Sequence, residues 1–162
     1  MRANQSEPMD ATATPIDPEM KRRRRMSLLA RASTAELDAT WAALAVPSDV
    51  TDLRGPETGL VMLTGRIGGD GGRFNLGEAT VSRSTVRLPS GEVGFGQMLG
   101  SDRLMARRAA ILDAAAETAE GAPIVARLCD EIETRLDRER QTSDAETAAT
   151  RVDFFTLVRG ED

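Results

Sequence analysis

The chain has 162 residues, with 21 Lys+Arg against 26 Asp+Glu and neither histidine nor tyrosine. Without histidine there is no Ser-His-Asp or Cys-His nucleophile and no imidazole metal ligand. Proton transfer near neutral pH would fall to carboxylates or the single lysine, which argues against a conventional hydrolase. A hydrophobic fraction of 40% with 29% charged residues is that of a globular protein, and the length suits one domain with a modest core. Cys129 has no partner for an internal disulfide. No apolar run approaches the roughly 20 residues that span a bilayer, and no signal-peptide pattern is visible. A cytoplasmic protein with no membrane partner is expected. Residues 1–100 balance twelve acids with twelve bases, and the net charge of -5 resides in residues 101–162.

Residues 1–18 carry Pro8, Pro15 and Pro18 and few large apolar groups. They read as a disordered tail before a single domain over 19–162. A helix is expected from about Glu19 to Ala32. Ser33 with Glu36 three residues later is a capping-box pattern. It opens a second helix with Leu37, Trp41 and Leu44 on one face, closed by Pro47. Alternation over Leu60–Ile67 predicts a strand, and Gly68 to Gly72 breaks it. A second strand is predicted over Arg73–Leu88, where the apolar parity flips twice, as bulges require. After the Pro89-Ser90-Gly91 turn, Val93, Phe95 and Leu99 form the expected apolar face of a third strand, with Gly94 and Gly96 opposite. Short turns between three strands imply an antiparallel meander.

Ser101-Asp102 caps a predicted helix with Leu104, Ile111, Leu112 and Ala115 along one side, ended by Gly121 and Pro123. Val125, Leu128, Ile132 and Leu136 make a second helical stripe, with Glu131 and Arg135 spaced as an i, i+4 pair. Residues 141–150 read as a polar connection or a fraying helix end. The expected fold class is α+β: a meander of three or more strands with helices at both ends.

Several segments invite functional readings. Lys21 to Arg25 is a nucleic-acid-like basic run, set against a solvated helix start in a chain that is otherwise acidic. Nucleic acid is not the expected partner. Gly68 to Gly72 fits neither phosphate-loop pattern and reads as a hairpin turn. Glu57 and Arg66 are the candidate pair for an anion contact, with surface ion pairing the bland alternative. Cys129 sits on an apolar stripe and reads as a packed thiol. Val152, Phe154, Phe155, Leu157 and Val158 place two of the four Phe within the last eleven residues. Such a segment either folds back as an edge strand or docks on another subunit.

Blocks of sequence resemble the PhnG family. They comprise Arg25 to Ala30, Glu57 to Val61, Arg66 with Gly68-Gly69, and Gly71 with Arg73-Phe74. They continue through Gly77, Ala79-Thr80, Arg83 and Val86-Arg87-Leu88 to Gly94, Gly100, Asp102 and Asp113-Ala114. The ending Arg151-Val152-Asp153-Phe154-Phe155 through Arg159-Gly160 is the most specific. Together the blocks cover residues 22–162. The long tail, the strongly basic run and Gln97-Met98 depart from the family pattern.

The resemblance implies a subunit of the bacterial carbon–phosphorus lyase core complex, assembled with H, I and J subunits for phosphonate catabolism under phosphate starvation. It implies transfer of the ribose 5-triphosphate moiety of ATP to methylphosphonate with release of adenine. ATP is then a substrate of the complex, and this chain alone binds no cofactor or metal. The iron–sulfur cluster and S-adenosylmethionine belong to a partner subunit. No catalytic residue transfers to this chain. Phe154, Phe155, Leu157 and Arg159 are the residues expected to dock on partners. The alternatives are a stand-alone enzyme with Glu57 and Arg66 lining an anion site, and a nucleic-acid accessory protein using Lys21 to Arg25.

Overall fold

The computed structural model describes residues 17–150 apart from Gly69. Asp17 caps the first helix, α1 (Pro18–Leu29), by accepting from Glu19 N–H, and Pro18 occupies the first turn, where its missing N–H costs nothing. α2 (Thr34–Ala43) opens with the full capping box: Ser33 Oγ accepts from Glu36 N–H at 3.3 Å and Glu36 accepts from Ser33 N–H at 2.7 Å.

The sheet has three antiparallel strands in the order β1 (Thr51–Arg66), β2 (Arg73–Arg87), β3 (Val93–Leu99). β1 starts nine residues before the predicted strand. The irregular pairing at Leu53 and again around Pro56 broke the alternation that would have announced it. On β2 the predicted bulge appears at Leu76, between the Leu63↔Gly77 and Thr64↔Asn75 pairs. The glycine segment closes the β1–β2 hairpin as expected. Gly68 has φ +62°, and Gly71 N–H donates to Ile67 O at 2.9 Å.

α3 (Arg103–Ala115), capped by Asp102, lies across one face of the sheet, and α4 (Gly121–Ala149) runs back beside it. Leu28, Leu29, Leu37, Val86, Ile111, Leu112, Val125, Leu128 and Ile132 form the core between helices and sheet. Leu104 is 58% exposed, because the buried side of α3 is instead the alanine-rich line Ala106, Ala109, Ala110 and Ala114. Gly121 and Pro123 lie in the first turn of α4, and residues 141–149 continue that helix. Arg135 bonds Glu36 and Glu139 rather than Glu131.

The third strand is turned over relative to the sequence reading. Gly94, Gly96 and Met98 face the core, while Phe95 and Leu99 face outward at 43% and 77% exposure. The reason is steric. A Cβ on Gly94 would lie 2.0 Å from Ala110 O, and one on Gly96 2.0 Å from Ala106 O. α3 therefore sits directly on the backbone of β3, a close approach open only to glycine facing alanine.

Candidate partner interface

The two edges of the sheet are treated differently. On β3 the free edge is closed: Phe95 N–H donates to Asp113 Oδ2 at 3.0 Å, and Arg22 Nη2 donates to Val93 O at 2.6 Å. Asp113 is completely buried on α3 and also accepts from Arg22 at 2.7 Å and Arg25 Nε at 2.8 Å. The Arg22 guanidinium lies 5.2 Å from the Phe95 ring centroid, adding a cation–π contact. One buried carboxylate thus joins α1, α3 and β3.

This arrangement accounts for much of the basic run. Arg22 and Arg25, three apart on α1, converge on Asp113; Arg25 also pairs with Glu117, and Arg24 pairs with Glu133 of α4. The Arg25 guanidinium is 15% exposed. Burial works against its charge, but the hydrogen bonds it donates to Glu117 and Asp113 outweigh that and raise its pKa. Three of the five cations are therefore occupied in tying helices together.

Among the described residues β1 has no strand on its outer edge. Beyond the last β2–β3 pair, Val81↔Leu99, the hairpin continues as a two-stranded arm, Leu60–Arg66 with Arg73–Thr80. Seven residues at about 3.3 Å each carry it roughly 23 Å past the third strand. Thr58 pairs with Ser82, whose hydroxyl donates to Asp102 O at 2.9 Å, so that parity marks the helix side. Leu60 and Met62 continue it at 63% and 53% exposure. On the opposite side stand Leu63, Phe74 and Leu76, the latter two over Gly65, where a Cβ would meet Leu76 Cδ1 at 2.8 Å. Both faces of the arm carry exposed apolar side chains, the first of them beside Thr80 and Glu78, the cross-strand partners of Leu60 and Met62.

The tip carries Arg66 directly opposite Arg73. Among the described residues neither makes a salt bridge, and like charges at paired positions repel. Glu57 stands at the other end of the arm, nine positions from Arg66, so the two do not meet. Its carboxylate instead accepts from Arg83 Nε at 2.6 Å and pairs with Arg54 at 2.5 Å. The Arg83 bond, opposed by slight desolvation and assisted by Arg54, holds Glu57 below the usual carboxylate range. An ionised carboxylate already shared by two guanidiniums is a poor base and a poor nucleophile.

A groove of about 720 Å³ between α1 and α4 is lined by Lys21, Arg24, Arg25, Glu117, Cys129 and Asp130. Burial pushes the Cys129 thiol upward in pKa, partly offset by Arg25 and Arg24. That is the opposite of activation. Among the described residues no group of carboxylates and thiols could hold a metal ion. Phe154, Phe155, Leu157 and Arg159 lie outside the described residues.

The strands of the arm were expected from the sequence, but their exposure was not, because Leu60, Val61, Met62 and Leu63 are apolar at four consecutive positions. Such a run belongs on both faces of a strand, which signals either complete burial or a strand awaiting a partner.

Comparison with known proteins gives the same direction. A profile described as "Phosphonate metabolism protein PhnG" matches residues 20–160. The chain is 55% identical over 155 residues to the Rhizobium meliloti (strain 1021) protein "Alpha-D-ribose 1-methylphosphonate 5-triphosphate synthase subunit PhnG". That match takes in 95% of this chain and 99% of the relative. A family match over residues 20–160 together with a relative 55% identical over nearly the whole of both chains has one consistent reading: the chain belongs to the PhnG family of phosphonate metabolism proteins.

Proposed function

We propose that this chain is a structural subunit of an α-D-ribose 1-methylphosphonate 5-triphosphate synthase, the assembly named for its relative. With H, I and J subunits it supports transfer of the ribose 5-triphosphate moiety of ATP to methylphosphonate with loss of adenine. The catalytic residues lie on those partners, as do the iron–sulfur cluster and S-adenosylmethionine of the later cleavage. The complex works in the cytoplasm; no helix among the described residues is long and apolar enough to cross a membrane.

The observation that carries the reading is the arm, whose two apolar faces the chain's own helices leave uncovered. Contiguous exposed apolar surface of that kind marks association sites. Phe154, Phe155, Leu157 and Arg159 extend the interface from the C-terminal segment. The alternative of a stand-alone enzyme needs Glu57 and Arg66 at one site, and they stand at opposite ends of the arm.

Co-expression of the tagged chain with the H, I and J subunits tests assembly. A stoichiometric complex on the tag is expected; recovery of the chain alone contradicts the proposal.

A further inference from the structure

Resting on that reading, we propose that the β1–β2 arm is the docking element, inserting into an apolar groove of another synthase subunit whose end carries carboxylates for Arg66 and Arg73.

Three observations select this occupant. First, the arm exposes apolar side chains on both sides, Leu60 and Met62 on one face, beside Thr80 and Glu78, and Leu63, Phe74 and Leu76 on the other. A flat surface covers one face or one edge. Only a groove covers both. Second, the β3 edge is already closed by Asp113 and Arg22, which among the described residues leaves β1 as the edge with no strand beside it. Third, the tip sets Arg66 against Arg73, two cations around one exposed turn carboxylate, Asp70, and neither arginine makes a salt bridge among the described residues, although Asp52 and Glu57 along the sheet are engaged. A like-charged pair at the end of an apolar finger is relieved by acids at the bottom of the groove. An isolated two-stranded ribbon is marginal in water, so the groove also completes the arm's own folding.

Two variants of the full chain, co-expressed with the H, I and J subunits, test the proposal. Leu60→Glu with Met62→Glu removes one apolar face, and Arg66→Glu with Arg73→Glu reverses the tip. These side chains are at the surface, so both variants should melt as the parent does. Each is expected to lower recovery of partner subunits about tenfold or more. If a variant melts early, hydrogen exchange on the parent chain replaces it, with protection of residues 60–66 and 73–80 expected on assembly.

A parent chain that recovers no partners would refute the subunit reading itself. A parent that assembles, with both variants assembling equally well, would refute the arm. Normal assembly with lost turnover in the tip variant would assign the arginines to an anionic substrate instead. Self-association of the isolated chain that the Leu60/Met62 variant abolishes would assign the arm to a second copy. Either result overturns the proposal.

Discussion

The Asp113 carboxylate, fully buried on α3, accepts a 2.7 Å hydrogen bond from Arg22 Nη2, ninety-one residues earlier in the chain. The same oxygen takes the Phe95 N–H of the sheet edge, and its neighbour takes Arg25. A buried charge is tolerable only with such full pairing, so removing the acid exposes the cost of the cations left behind. Asp113→Ala is expected to lower unfolding free energy by about 3–5 kcal/mol. Asp113→Asn, which keeps an acceptor for Phe95 N–H, should cost less. Urea titration of both variants checks the order, and an alanine variant of parental stability contradicts it.

The contact between β3 and α3 predicts strong intolerance at one glycine and indifference at another. Gly96→Ala would place a Cβ 2.0 Å from Ala106 O and 2.6 Å from Ala110 N, so α3 must move. Overpacking of this kind costs about 1–3 kcal/mol. Gly55 on β1 has nothing within 4 Å of a Cβ, and Gly55→Ala should change stability by no more than about 0.5 kcal/mol. Thermal melts of the pair decide the matter.

Glu36 links the start of α2 to α4. It caps Ser33 N–H and accepts from Arg135 Nε at 2.8 Å. The Arg135 bond, with the Ser33 bonds against a small burial cost, holds its carboxyl below the ordinary range. A depressed folded pKa means the stabilisation is complete above the unfolded value of about 4.3 and is lost as pH falls through the folded value. Glu36→Gln should therefore be less stable than the parent at neutral pH, with the gap narrowing in acid. Melts from pH 7 to pH 3 measure it; a constant gap contradicts the assignment.

The basic run predicts a stability phenotype rather than nucleic-acid binding. A binder using it would weaken with salt at a slope of about -0.9 per phosphate contact. Arg22 and Arg25 are committed to Asp113, so no such salt-steep retention is expected. Arg25→Ala should instead lower the melting temperature.

The elements of the fold differ in how far local sequence announces them. Ser33 and Glu36 announced α2 because a capping box is local chemistry, complete within four residues. The meander and its glycine turn were legible for the same reason. The facing of β3 was not, because Gly94 and Gly96 look empty until α3 supplies Ala106 and Ala110 from later in the chain. The role of Lys21 to Arg25 was hidden likewise, since its acceptors Asp113, Glu117 and Glu133 arrive some ninety or more residues later. Family membership was legible through separated blocks such as Glu57 to Val61, whereas the arm's exposure required knowing where β3 stops.

On the proposed function, this chain supplies docking surface while partner subunits supply chemistry. Adenine release from ATP and methylphosphonate tests it most directly, measured for the isolated chain, for the H, I and J subunits without it, and for all four together. No release is expected from the isolated chain, and full release only when it joins its partners. Adenine release by the isolated chain would contradict it.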